Sequence, residues 1–173
     1  RSVYDEKPNL LSNGTLTKYN TSPINDGSAA MILASERAVR KYGLPVIAQI
    51  TASATVGTKP ENFGLAPALA LEVLMKKSHT RLNDFRLIEC NEAYASQMIA
   101  CQRHMKWDMN RVNINGGSLA IGHPLGCSGL RICVTLVYAM RRLSAELGVS
   151  AMCAGGGMGQ AVLFQNTGGK ISS

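Results

Sequence analysis

The chain has 173 residues, of which 46% are hydrophobic and only 17% charged, a balance that suits one compact domain and excludes a disordered chain. No apolar run reaches the roughly 20 residues that span a membrane, so we expect no membrane-spanning segment. The net charge of +7 comes without a nucleic-acid motif, so we interpret most basic residues as solvated helix faces, with attraction of an anionic cofactor as the alternative.

The first predicted elements lie before residue 57. Residues 1–20 are polar and predict a connector, while residues 21–173 predict one domain. The continuous apolar run at 28–34 is typical of a strand buried on both faces. Next come a predicted helix at 36–42, with Ser35 as N-cap and Gly43 at its end, and a second strand at 46–56.

The remaining elements alternate in type. Hydrophobic spacing predicts helices over 66–77, 92–105 and 128–147, and strands at 85–90, 149–153 and 160–164. This order predicts an α/β fold in which a mainly parallel, five-stranded sheet carries helices on both faces.

Five cysteines are scattered through the chain, at positions 90, 101, 127, 133 and 153. They form no CxxC pair and no metal-ligand spacing with histidine, so we expect no bound metal. An odd number in apolar segments is typical of free thiols in a reducing compartment, which indicates the cytoplasm or an organelle matrix.

One histidine lies in a glycine-rich loop. His123 stands between Gly122 and Pro124. Proline restricts the backbone of the residue before it, and glycine leaves room for a ligand to approach. An imidazole held in this way is suited to act as a general base near neutral pH. The alternative is a turn histidine bonded to local carbonyls.

Two more polar residues end predicted strands. Cys153 precedes three glycines, whose amide hydrogens can converge on a developing oxyanion, although a packed core thiol is the alternative. Asn91 is either a site residue or the cap of the following helix. Cys127 lies near a helix start, and we expect it to be packed rather than reactive.

Four ordered stretches resemble the signatures of the thiolase family. They are Asn20-Thr-Ser-Pro-Ile-Asn-Asp-Gly27, Asn91-Glu-Ala-Tyr-Ala95, Asn115-Gly-Gly-Ser-Leu-Ala-Ile-Gly-His-Pro-Leu-Gly-Cys-Ser-Gly129 and Cys153-Ala-Gly-Gly-Gly-Met-Gly159. The resemblance runs from about Gly14 to Phe164 and is to the carboxy-terminal half of the family's subunit. One departure is Pro23, where the family usually has glycine. Proline removes a backbone N–H there.

The resemblance implies a thiolase-like βαβαβαββ half and acyl transfer between coenzyme A thioesters. The reaction would be thiolytic cleavage of a 3-ketoacyl-CoA or the Claisen condensation of acetyl-CoA. Coenzyme A or acyl-CoA would be the substrate, with no tightly bound cofactor. The complete subunit would form homo-oligomers.

The resemblance also implies roles for particular residues. His123 would activate a nucleophilic cysteine and, with a water held by Asn91, form an oxyanion site. Cys153 would exchange the proton at the α-carbon, and Gly155 would offer a backbone N–H to a second oxyanion hole. The pantetheine arm would pass near three further residues, Ser22, Phe63 and Tyr94.

In the family, the attacking cysteine comes from the amino-terminal half of the subunit. We therefore expect this chain to be inactive alone and to need an amino-terminal partner, whether a nicked fragment or a separately encoded subunit. One alternative is a non-catalytic, acyl-CoA-binding thiolase-like module. Another is a ketoacyl synthase relative, but those enzymes rely on two histidines, and Asn91 and Cys153 fit a thiolase better.

Overall fold

A computed structural model describes residues 14–168. Its helices and strands are, in chain order, α1 Glu36–Tyr42, β1 Ala48–Gly57, α2 Ala66–Ser78, β2 Leu87–Cys90, α3 Ala95–Met105, α4 Ser118–Ile121, α5 Ser128–Arg142, β3 Leu147–Ala154 and β4 Met158–Asn166. Short 3-10 helices cover Pro60–Leu65, Leu82–Asp84 and Met109–Arg111. No helix in this part of the chain is long and apolar enough to cross a membrane.

The four strands form one mixed sheet in the order β1-β4-β3-β2. β1 and β3 both pair antiparallel with β4, and only β2 and β3 are parallel. A short turn joins β3 to β4, and strands joined in this way must run antiparallel. The predicted α/β class is therefore confirmed, but the sheet has four strands within residues 14–168 and is not mainly parallel.

The apolar run at 28–34 is not a strand, which corrects the sequence prediction. Ile32 is 92% exposed and Leu33 is 73% exposed. A strand forms only where a neighbouring strand offers free backbone N–H and C=O groups. The outer edge of β2 is covered by Asn113, whose N–H donates to the Ile88 carbonyl at 2.9 Å. β4 pairs with one edge of β1, and no residue of the run pairs with the other edge, so the run lacks the ladder that defines a strand.

Helix ends follow local chemistry. The Ser35 side chain accepts the Ala38 N–H and Gly43 adopts a left-handed φ of 59°, so the prediction for α1 is confirmed. The helix predicted at 128–147 ends earlier, at Arg142. Ser144 has a φ of 50°, and a left-handed residue ends the helical ladder.

The two faces of the sheet carry separate apolar clusters. α2 and α3 cover one face with residues such as Leu71 and Met98, and α5 covers the other with Leu136 and Met140. Helices thus lie on both faces, as predicted. Because β2 and β3 are parallel, their carboxyl ends meet at one edge of the sheet, and the loops that follow the strands gather there.

Candidate active site

Asn91 lies at the carboxyl end of β2. Its backbone N–H donates to the Ala151 carbonyl at 2.9 Å, which extends the parallel pairing by one residue. Cys153 lies two residues further along β3. Both residues are buried: Asn91 is 1% exposed and Cys153 is 7% exposed. The fold therefore brings both predicted residues to the same edge of the sheet.

The Asn91 side chain is bound to the glycine-rich stretch. Ser118, the first residue of α4, donates its hydroxyl to Asn91 Oδ1 at 2.8 Å. α3 begins only at Ala95, with Tyr94 as its N-cap. The alternative interpretation of Asn91 as a helix cap is therefore wrong.

Glu92 connects the glycine-rich stretch to the end of β2 through hydrogen bonds. Its carboxylate accepts the Leu119 N–H at 3.0 Å and the Asn113 side-chain amide at 2.7 Å. A Cβ at Gly117 would overlap this carboxylate, so glycine is required for the close approach. Sequence reasoning gave no role to Glu92, although it lies in one of the recognised motifs.

His123 is fixed at its backbone and at its ring. Its N–H donates to the Pro23 carbonyl at 2.8 Å, and its Nδ1 lies 2.7 Å from Ser128 Oγ. That hydroxyl donates to the Pro124 carbonyl at 3.1 Å, so it can only accept from Nδ1–H. The neutral ring then carries its free lone pair on Nε2, the form that a general base requires. Sequence reasoning missed Ser128.

Burial and charge favour the neutral forms of His123 and Cys153. Burial, and next the Arg131 guanidinium, lower the pKa of His123. Burial raises the pKa of the Cys153 thiol. Near neutral pH, His123 is therefore an unprotonated base and Cys153 is a thiol that can donate a proton.

Gly155 begins the turn between β3 and β4. A Cβ on this exposed residue would meet nothing within 4 Å, so the space beside it is open to a ligand. Gly156 and Gly157 have φ values of 81° and 91°. These left-handed values explain the run of glycines, because other residues rarely adopt them.

The three predicted pantetheine contacts converge at the start of α3. Ser22 donates its backbone N–H to the Ala93 carbonyl at 3.1 Å. The next residue, Tyr94, packs edge to face against Phe63, with 6.0 Å between ring centroids. Pro23, where the sequence departs from the family pattern, supplies the carbonyl that holds His123.

Not every predicted residue is in direct contact. Within residues 14–168, no hydrogen bond joins the Cys153 thiol to His123 or Asn91. Cys127, the residue before α5, lines a groove of about 470 Å³ between the segment 24–29 and the loop 124–127. Two serines at the starts of helices, Ser118 of α4 and Ser128 of α5, make the hydrogen bonds that sequence reasoning did not anticipate.

Comparison with known proteins identifies the fold as that of thiolases. Human mitochondrial 3-ketoacyl-CoA thiolase matches with a TM-score of 0.90 at 41% identity, over 92% of this chain and 41% of that one. A thiolase from Ascaris suum in complex with coenzyme A matches with a TM-score of 0.88 at 43% identity, over 92% of this chain and 42% of that one.

The sequence agrees with the structural match. The family model described as thiolase, C-terminal domain, matches residues 44–166, and the chain belongs to this family. A probable acetyl-CoA acetyltransferase of Escherichia coli is 42% identical over 158 residues, which are 91% of this chain and 40% of the relative. The chain thus spans about two fifths of the length of the relatives it matches.

Proposed function

We propose that this chain supplies the general base, an oxyanion site and the proton-exchanging thiol of an enzyme that transfers acyl groups between coenzyme A thioesters. The observation that supports the proposal is the position of Asn91 and Cys153 at the carboxyl ends of β2 and β3, with the Asn91 side chain bonded to Ser118 in the glycine-rich stretch that contains His123. Coenzyme A present in the related Ascaris suum structure supports the substrate class.

The geometry supports a division of roles in thiolysis. His123 Nε2 takes the proton of a nucleophilic cysteine, whose sulfur attacks the 3-keto carbon of the substrate. Carbon–carbon cleavage leaves an enolate, and the neutral Cys153 thiol returns a proton to its α-carbon. The Gly155 N–H and a water held by Asn91 stabilise oxyanions, each donor contributing about 3–4 kcal/mol.

The nucleophilic cysteine is proposed to come from an amino-terminal thiolase half outside these residues. The segment at 28–33 supports this partner, because its exposed Ile32 and Leu33 are typical of a surface that another unit covers. The complete subunit is proposed to be a homo-oligomer. Five free cysteines favour a reducing compartment.

Thiolysis of acetoacetyl-CoA by free coenzyme A tests the proposal. We expect no turnover from this chain alone and turnover when it is combined with an amino-terminal thiolase half. His123→Gln should lower kcat by about 10²–10⁴-fold, the usual contribution of a general base. Turnover by the isolated chain would refute the need for a partner. Coenzyme A binding without turnover in the complete assembly would favour the non-catalytic binding module.

A further inference from the structure

Arg131 lies on the first turn of α5 and takes no direct part in the proposed function. The role inferred for it here rests on that function. Its Nη2 donates to Ser118 Oγ at 3.0 Å. The same hydroxyl donates to Asn91 Oδ1 at 2.8 Å. Two hydrogen bonds thus connect a cation on α5 to the amide at the end of β2.

The direction of these hydrogen bonds is fixed by chemistry. A guanidinium only donates, and a serine hydroxyl has one proton. Because Ser118 accepts from Arg131, its proton is committed to Asn91 Oδ1. The amide nitrogen of Asn91 is then left as the free donor, and it has no hydrogen-bond partner within residues 14–168. Without Arg131, the hydroxyl could turn and accept from that nitrogen, which would allow the amide to flip.

A packing role does not account for Arg131. Its Nε and Nη1 are buried without hydrogen-bond partners, as is Oε2 of the neighbouring Glu89. Burying these atoms costs free energy, and an apolar side chain of similar size would avoid that cost. The attraction between Arg131 and Glu89 lowers the pKa of that carboxyl, but burial still raises it to about 7. Near neutral pH this pairing therefore offsets only part of the cost of the unpartnered nitrogens, and stability alone does not account for a partly buried guanidinium with one hydrogen bond.

We propose that Arg131 is a positioning residue that, through Ser118, holds the Asn91 amide with its NH₂ group free to bind the oxyanion-site water. Arg131 itself does not touch substrate. Its effect is carried by the orientation of one side chain, so its loss should lower kcat rather than raise KM.

The charge of Arg131 supplies an independent readout at His123. The surrounding elements carry Arg131 and Cys127 at the start of α5, Glu89 and Cys90 on β2, Glu92 directly after it, Asp26 on the preceding segment and Cys153 on β3. Of these, only the Arg131 guanidinium contributes to the lowering of the His123 pKa, after burial. Removing the charge should raise this pKa, whereas removing only the Ser118 hydroxyl should leave it unchanged.

Three variants separate positioning from charge. Arg131→Met removes donor and charge, Ser118→Ala breaks the connection but keeps the charge, and Arg131→Lys retains a donor and a charge without the planar fork. Cys127→Ala is the control on the same loop. Kinetics are measured in the complete assembly at a pH where His123 is neutral, and circular dichroism checks that each variant is folded.

We expect Arg131→Met and Ser118→Ala each to lower kcat on the order of 10²-fold, as a misplaced site group does, with little change in KM. Arg131→Lys should recover part of the loss. The double variant should be no slower than Ser118→Ala, because one broken connection already releases the amide. If the loss of kcat in the double variant instead equals the product of the two single losses to within about twofold, the two residues act independently and the proposal is overturned. An unchanged kcat in Ser118→Ala would also overturn it.

Nuclear magnetic resonance of the isolated chain separates failure of this inference from failure of the proposed function. Arg131→Met and Ser118→Ala should shift the side-chain amide resonances of Asn91 alike, while Cys127→Ala should not. Only Arg131→Met should raise the His123 pKa. If these resonance and pKa shifts are observed but the complete assembly shows no turnover, the proposed function is refuted while the positioning role is supported. Unmoved Asn91 resonances would overturn that role whatever the activity.

Discussion

Glu89, on the outer strand β2, carries a carboxyl group that is only 2% exposed. Burial raises its pKa to about 7, against the smaller lowering effect of Arg131. In the unfolded chain the group would titrate near 4.5. The folded protein therefore holds this proton more tightly, so the contribution of Glu89 to stability is greatest below pH 4.5 and is lost as the pH rises to about 7.

We predict that Glu89→Gln removes this pH dependence. Relative to the wild type, the variant should gain about 3 kcal/mol in free energy of unfolding between pH 4.5 and pH 7, because glutamine has no proton to lose. Urea unfolding followed by circular dichroism across this range measures the difference. Glu61→Gln, at an exposed side chain, is the control. A difference that stays constant with pH would contradict the prediction.

Ser128 is predicted to fix the tautomer of His123. Ser128→Ala removes the hydroxyl that lies 2.7 Å from Nδ1, so the free lone pair is no longer confined to Nε2. We expect kcat to fall by roughly 10²-fold or more, since general-base catalysis contributes at least that much. Steady-state kinetics of the complete assembly test this, with Cys127→Ala for comparison. Activity equal to that of the comparison variant would show that the hydroxyl is dispensable.

The acid side of the pH–rate profile is predicted to reflect the lowered pKa of His123. A lowered pKa keeps the imidazole unprotonated further into the acid range, so kcat/KM should begin to fall only below the ordinary histidine pKa of about 6.5. Measuring kcat/KM for thiolysis between pH 5 and pH 8 provides the check. A fall that begins above the ordinary value would mean that a different environment surrounds the ring.

At the scale of elements, the attachment of α4 to β2 depends on a missing side chain. Gly117 leaves space for the Glu92 carboxylate, which holds both α4 and the preceding turn. We predict that Gly117→Ala destabilises the protein by about 1–3 kcal/mol, the usual cost of overpacking. Gly126→Ala is a matched control in the same region, because its Cβ would meet nothing within 4 Å. Equal urea midpoints for the two variants would contradict the prediction.

The predicted elements differ in how well local sequence defined them. α1, with its serine cap and terminal glycine, was predicted at its observed bounds because capping depends on neighbouring residues. α5 was predicted five residues too long. Its end depends on the left-handed Ser144, and serine, unlike glycine or proline, does not signal a helix end in the sequence. Strand direction within the sheet was missed because pairing depends on distant residues.

At the scale of the whole molecule, the segment 28–33 stands apart from the sheet. It has no ladder hydrogen bonds within the described part of the chain, and its side chains are largely exposed. We predict that its backbone amides exchange with solvent orders of magnitude faster than those of β3, which is paired on both sides. Hydrogen exchange followed by mass spectrometry measures this, and protection equal to that of β3 would contradict it.

The sequence by itself determined the family, the α/β class and the positions of His123, Asn91, Cys153 and the glycine turn, because these depend on residue types at fixed spacing. Only the tertiary structure decided which groups meet. The connection from Arg131 through Ser118 to Asn91 joins three segments that are separate in sequence. Likewise, composition could not show that the apolar run at 28–34 is exposed and unpaired, because strand pairing depends on residues distant in sequence.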